Sequence, residues 1–277
     1  MISIYFKSGE PKFYESFEEI VSLENYDLII SIICRSSNVV SLPSPLPRML
    51  KRLYCENNHI TSLPELPHCL KELRCSENQL EYLPKLPYVI EELYCSHNNL
   101  KELPELVFND YLKFGIDTEN EKYMEGGSLR KVYCDNNKLS TLPKLPYTLN
   151  TIQCSHNNIT EFPELPSNIN NVDISHNALK SIPKELYKLW YLDFIDYSYN
   201  EVSTSLPWFA DDLRFLICNN NPITYLYDKL PDNLQIFNCG NTNIRNIPNF
   251  PKYMRKLICD PELTENIEKK FPEIFKK

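Results

Sequence analysis

Apolar side chains recur along most of the chain at offsets that fit neither a helix nor a simple alternating strand. A short apolar-polar-apolar alternation is followed by an Asn, further apolar positions and two Leu-Pro steps, and the block then restarts about 20 residues on. One copy reads Leu50-x-x-Leu53-x-Cys55-x-x-Asn58-x-Ile60-x-x-Leu63-Pro64-x-Leu66-Pro67, and the next Leu70-x-x-Leu73-x-Cys75-x-x-Asn78-x-Leu80-x-x-Leu83-Pro84-x-Leu86-Pro87. The frame returns around Cys95/Asn98, Cys134/Asn137, Cys154/Asn157, Ile174/Asn177, Tyr197/Asn200 and Cys218/Asn221, with weaker copies starting at Ile29 and Leu234 and a last fragment at 254–259. A fixed period of this length is the mark of a solenoid.

The alternation predicts one short strand per copy, with Leu73 and Cys75 inward and Arg74 outward, stacking into a parallel sheet. Asn58, Asn78, Asn98, Asn137, Asn157, Asn177, Asn200 and Asn221 stand where each turn leaves the sheet. Their amides both donate and accept, so a column of them can satisfy buried backbone groups. The Leu-Pro steps predict an extended, polyproline-like return, because Pro lacks an amide donor and holds its predecessor extended. A thin return side and a wider strand side predict a curved ribbon with the sheet on its concave face.

Single copies cannot bury enough apolar surface to fold alone, so the ends need covers. Residues 1–28 are expected to form an N-terminal cap: a strand from Met1 to Phe6, then Ser16-Phe17-Glu18-Glu19-Ile20-Val21 as a capping box opening a short helix. Repeats are assigned to 29–260, about eleven copies, and a helical C-terminal cap to 261–277, with Pro272 limiting it. Two places are irregular. The interval from Asn98 to Asn137 holds either a degenerate repeat with residues 112–116 in a strand slot, the favoured reading, or a loop over about 107–128. The longer step from Asn177 to Asn200 predicts a turn of helix at residues 186–190.

This frame resembles the leucine-rich repeat, L-x-x-L-x-L-x-x-N/C-x-L, over roughly residues 29 to 259. Leu63-Pro64-Glu65-Leu66-Pro67, Leu142-Pro143-Lys144-Leu145-Pro146 and Phe162-Pro163-Glu164-Leu165-Pro166 are similar to the short Pro-rich repeats of bacterial effectors of the YopM and IpaH kind. Cys in the third apolar slot with abundant Asn, Tyr and Lys also resembles repeat proteins of mimivirus-type giant viruses. The resemblance implies a non-enzymatic surface for binding proteins, in effectors often host proteins, in the cytoplasm. The ubiquitin-ligase domain that some such effectors carry has no counterpart in the sequence up to Lys277.

Composition refines this picture. The formal charge of -8 argues against nucleic acid, which needs a basic field. No apolar stretch has membrane-spanning length, and Lys7 and Glu10 interrupt any leader-like N-terminus. Nine of the ten cysteines fall in the inward slot and no C-x-x-C pair occurs, so buried free thiols in a reducing, intracellular compartment are expected, with Cys69 the most exposed. Asn158-Ile159-Thr160 matches a glycosylation acceptor that stays unmodified in such a compartment.

Candidate chemistry is sparse. His156 and His176 share a repeat position within Ser-His-Asn, as does His97, and are placed along the concave edge near Asp173. A metal or proton-linked site is weighed against a repeated polar ladder, and the ladder is preferred. The Ser-His pairs resemble catalytic pairs only on paper, since Ser155 and His156 are neighbours pointing apart. No metal, cofactor or catalytic residue is therefore assigned. The outward stripe is the better candidate: Tyr54, Arg74, Tyr94 and Tyr133, then Gln153 and Asp173, with His156 and His176 beside it. Tyr and Arg are the residues that most often anchor interfaces, although a Tyr ladder also stabilises strands. The expectation is a monomeric scaffold gripping a protein partner; a structural or packaged particle component is the alternative.

Overall fold

A computed structural model describes residues 1–107, 127–226 and 229–272. The chain divides into two compact units, Met1–Leu149 and Asn150–Lys277. In the first unit β1 (Ile2–Tyr5) pairs antiparallel with β2 (Lys12–Tyr14) on one side and with β3 (Ser31–Ile33) on the other. From β3 onward the strands are parallel: β4 (Arg52–Tyr54), β5 (Glu72–Arg74), β6 (Glu92–Tyr94) and β7 (Lys131–Tyr133). The second unit continues the same build with β8 (Thr151–Gln153), β9 (Asn171–Asp173), β10 (Phe194–Asp196), β11 (Phe215–Ile217), β12 (Ile236–Asn238) and β13 (Lys256–Ile258).

Strands β3 to β12 each bury their central residue, so Leu53, Leu73, Leu93 and Val132 stack in register, and the following Cys55, Cys75, Cys95 and Cys134 form a second buried column. Cys34, Cys154, Cys218 and Cys239 are buried likewise, whereas Cys69 and Cys259 are partly exposed. Cys259 thus departs from the inward column: it follows β13, the last strand of its sheet, and no further turn covers it.

Asn78 shows how a turn is closed. Its amide nitrogen donates to the carbonyls of Cys55 (2.9 Å), Cys75 (3.1 Å) and Ser76 (3.1 Å), and its oxygen accepts from the Ile60 amide (3.0 Å). Asn98 and Asn200 repeat the set, each donating to three carbonyls, one of them in the preceding turn. The residue just before each such Asn adopts a left-handed backbone: Asn57 (φ 53°), Glu77 (55°), His97 (54°), Asn136 (54°), His156 (53°), His176 (51°), Tyr199 (54°) and Asn220 (55°). With only five glycines in the chain, most of these turns place Asn or His there, two of the side chains that tolerate this conformation best.

The Leu-Pro returns carry neither helix nor strand through residues 61–67 and 81–87. A turn closes each, as where the Leu70 amide donates to the Pro67 carbonyl at 2.9 Å. One return differs. In Ile182-Pro183-Lys184-Glu185-Leu186-Tyr187 the second Pro is replaced by Tyr187, amide donors become available, and Lys184–Lys188 winds into a 3-10 turn, two residues earlier than the pattern predicts.

β6 pairs directly with β7, and the Asn137 amide donates to the Cys95 carbonyl at 3.0 Å, so no strand stands between them in the sheet. The degenerate repeat expected over residues 112–116 lies outside the described residues. At the N-terminal end the capping box is not made. α1 (Phe17–Val21) is short, and the Ser16 hydroxyl donates to the Glu19 carboxylate at 3.5 Å instead of accepting a backbone amide. At the other end α2 (Pro261–Lys270) buries Leu263 and Ile267. Asp260 ahead of it accepts the amides of Asn241 (2.9 Å) and Thr242 (3.2 Å), standing in for the next-turn backbone carbonyls that accept the equivalent amides of Asn57 and Asn58.

Candidate functional site

Three-residue strands leave two outward positions on the sheet face, the first and the last. In the first unit the last positions of β4 to β7 are Tyr54, Arg74, Tyr94 and Tyr133, in register. They form a continuous stack of flat groups. The Arg74 guanidinium lies 5.0 Å from the Tyr54 ring centre and 4.3 Å from that of Tyr94, and Tyr94 stacks on Tyr133 at 4.7 Å with the planes 4° apart. Arg35, just after β3, extends the stack, its guanidinium 4.7 Å from the Tyr54 ring on the other side.

The first outward positions supply the counter-charges. Glu72 accepts from Arg74 Nε (2.6 Å) and from the Tyr54 hydroxyl (2.7 Å); Glu92 accepts from the Tyr94 hydroxyl (2.7 Å) and from Lys131 (3.1 Å). Burial and the Glu72 hydrogen bond push the Tyr54 phenol up to about 12. Burial and Glu92 push Tyr94 up as well. For Arg74, burial disfavours the cation but the bond and charge of Glu72 outweigh it, so its pKa rises and the guanidinium stays charged. The stripe was legible from the alternation; Glu72, Glu92, Lys131 and Arg35 were missed. Glu72 and Glu92 fall two residues before Arg74 and Tyr94, the spacing that puts two side chains on one face of a strand.

In the second unit the stripe turns polar. Gln153 and Asp173 pair in register, and Asp173 with Asp196. Asp173 accepts both the amide (3.0 Å) and the hydroxyl (2.7 Å) of Ser175; Asp196 accepts those of Ser198 (2.8 and 2.6 Å). Burial raises the Asp196 pKa against its two serine bonds, with the Asp173 charge adding to the rise.

His156 and His176 do come together, on the left-handed turn beyond the strands. Their rings stack at 4.0 Å and 13°, and Tyr199 continues the column on His176 at 4.1 Å and 11°. Burial and the neighbouring His156 lower the His176 pKa, with Asp173 opposing. His97 belongs to the other unit and sits 3.7 Å from Asp135. Ser155 is buried, and the Ser175 hydroxyl is donated to Asp173, so neither Ser-His pair is set up for proton transfer within itself. Among the described residues no three His, Cys, Asp or Glu side chains gather as metal ligands. Tyr199 was missed as a member of this column, although it precedes Asn200 as His176 precedes Asn177.

No model of a known protein family matches the chain, and no curated protein does. Solved structures match: YopM from Yersinia enterocolitica WA-314 is 31% identical over 92% of this chain and 52% of that one, with a TM-score of 0.76. The chain is a leucine-rich repeat protein. It spans about half the length of the YopM chain. More distant leucine-rich repeat structures share the fold. The functional domain of InlJ from Listeria monocytogenes, which includes a cysteine ladder, is 19% identical over 86% of this chain and 55% of that one (TM-score 0.60). The APL1 leucine-rich repeat domain is 19% identical over 82% and 62% (TM-score 0.58). The solenoid turns, parallel strands and minor helical caps of both units fit this family.

Proposed function

We propose that this leucine-rich repeat protein is a non-enzymatic scaffold that holds a protein partner on the strand face of its first unit, through Tyr54, Arg74, Tyr94 and Tyr133. The observation that carries the reading is the unbroken stack from Arg35 to Tyr133, with carboxylates bonding Arg74, Tyr54 and Tyr94. Large flat groups fixed before binding lose little conformational freedom on association, which favours affinity. Tyr and Arg are also the side chains whose truncation costs interfaces most. Gln153, Asp173, His156 and His176 offer the second unit a polar contact surface of its own.

The likeness to YopM and the column of buried thiols, which form no disulfide, support an effector-like role on host proteins within a reducing cytoplasm. No helix among the described residues is long and apolar enough to cross a membrane. Affinity capture from cell lysate followed by mass spectrometry tests the reading. Wild type should retain one set of proteins that the folded double variant Arg74→Glu, Tyr94→Ala loses; the same set on both would move the site off this face, and no retained protein at all would favour a packaged particle component.

A further inference from the structure

In the second unit aromatic rings interrupt the regular Leu-Pro returns. With one residue inserted in its return, Tyr187 follows Leu186 as Pro67, Pro87, Pro146 and Pro166 follow the second Leu of theirs, Trp208 follows Pro207 one turn on, and Tyr225 follows in the next turn. Backbone structure sets these rings side by side. The 3-10 turn Lys184–Lys188 carries Tyr187. The Leu206 amide donates to the Tyr225 carbonyl at 3.0 Å beside a parallel bridge between Leu206 and Leu226, which ties Tyr225 to the Pro207 segment. Tyr187 and Trp208 meet at 5.9 Å with planes 31° apart.

Together they line a cleft of about 470 Å³, within the range of roughly 300–1,000 Å³ typical of ligand sites. Tyr187 is 40% exposed, Trp208 46% and Tyr225 57%. Clustered rings left this open forgo burial that the fold gives to nearly all its Leu and Ile, and such patches mark interaction surfaces. The lining chemistry narrows the occupant. Pro207 and Ile182 complete the apolar wall, Ser181, Thr204 and Ser205 provide hydroxyls, and Lys184 is the one charged residue of the lining. Lys188 adds a second positive charge 5.7 Å from the Tyr187 ring. A cationic ligand of the kind that aromatic cages hold is disfavoured by these two lysines. An extended polyproline-type segment suits the cleft: its rings pack on aromatic walls, and its carbonyls, unpaired within such a helix, accept from Tyr, Trp and Ser/Thr donors.

We propose that this cleft docks a proline-containing, acidic, extended segment of a partner protein, with a carboxylate of the segment set against Lys184. The site lies on the return side of its unit and does not depend on the strand-face reading.

The chain has two Trp, Trp190 and Trp208, so Trp190→Phe leaves Trp208 as the sole indole reporter. The probe is the peptide acetyl-Pro-Pro-Glu-Pro-Pro-Glu-Pro-amide, with its Glu→Lys counterpart as control. The Glu peptide should change Trp208 fluorescence saturably and bind several-fold tighter than the Lys peptide, and Lys184→Glu should reverse that order. By calorimetry Trp208→Ala should lose binding while its melting stays cooperative, and Tyr94→Ala should bind like wild type. No saturation by ~5 mM peptide, a weak-binding limit, would overturn the proposal. So would equal affinity for the two peptides in both proteins, or saturation by choline where the Glu peptide gives none.

Discussion

Arg74 and Tyr94 lie in register on adjacent parallel strands, with the guanidinium 4.3 Å from the ring centre and its Nε bonded to Glu72 at 2.6 Å. The side chain is thereby sandwiched between the Tyr54 and Tyr94 rings, with a charge partner on one edge. Lys cannot reproduce this, because its ammonium is a point charge without a stacking plane or a fork of donors. Arg74→Lys should cost about 0.5–1.5 kcal/mol of stability, the range of one cation-ring contact and one hydrogen bond at a partly exposed site. Urea unfolding of Arg74→Lys beside Tyr94→Phe, which keeps the stack but loses the Glu92 bond, separates the two contributions.

The Asn column makes a larger claim. Asn78→Ala leaves the Ile60 amide without its acceptor and takes one of two donors from each of the Cys55, Cys75 and Ser76 carbonyls, which keep Asn58, Asn98 and the Asn57 amide respectively. With one buried group left unpaired, a loss of roughly 1–3 kcal/mol is expected. Asn78→Asp should be comparably harmful, since a carboxylate accepts but cannot donate to the three carbonyls. A denaturation midpoint within experimental error of wild type in either variant would contradict the account.

How much of this was legible in the sequence follows from where the signal lies. Leu53, Leu73 and Leu93 repeat at a spacing that one strand per turn explains, so the solenoid and the outward stripe could be read from them directly. The Asn role was legible because one side chain carrying both amide donors and an acceptor recurs at the same position of most turns. The counter-charges were not: Glu72 and Glu92 sit among other acidic residues, and only strand length shows that they share a face with Arg74 and Tyr94. The direct junction of β6 with β7 was hidden for another reason. Its 39-residue interval, from Asn98 to Asn137, nearly equals two periods, so spacing favoured an extra turn, whereas strand pairing excludes an intervening strand. Ser16 satisfied a capping-box pattern whose geometry a five-residue helix does not adopt.

The thiols should respond to access and alkali. Cys69 and Cys259 are the two partly exposed cysteines, and the other eight are buried. A thiol reagent should therefore modify the folded protein at these two at most, and the double variant Cys69→Ala, Cys259→Ala should react only on unfolding. Burial, then Glu56, pushes the Cys34 thiol up to about 12, against an ordinary value of ~8.5 in the unfolded chain. A group whose pKa is raised on folding stabilises the fold fully below its unfolded value, so stability should fall as pH climbs from about 9 towards 12. Thermal melts across that window test the sign; a Tm constant through pH 11 would contradict it.

His176 titrates in the opposite sense. Burial and stacking against His156 lower its pKa, so the neutral ring is the one the fold favours. Its contribution is present above the ordinary imidazole value of ~6.5 and lost as pH falls below it. NMR should find His176 titrating below that value, and His156→Ala should move it back up by removing the neighbouring positive charge. An unchanged His176 in that variant would show that the two rings do not interact.

The central claim is that the strand face of the first unit binds a protein through its Tyr and Arg stack. Its most direct test is the dissociation constant of the captured partner for three purified, folded proteins: wild type, Tyr54→Ala with Tyr94→Ala, and, as an aromatic control, Tyr82→Ala, an exposed ring on the return side of the same unit. Two lost anchors of about 2 kcal/mol or more should weaken binding at least ~30-fold even if they are far from additive, while the control changes it little. A double variant that binds as tightly as wild type would contradict the account.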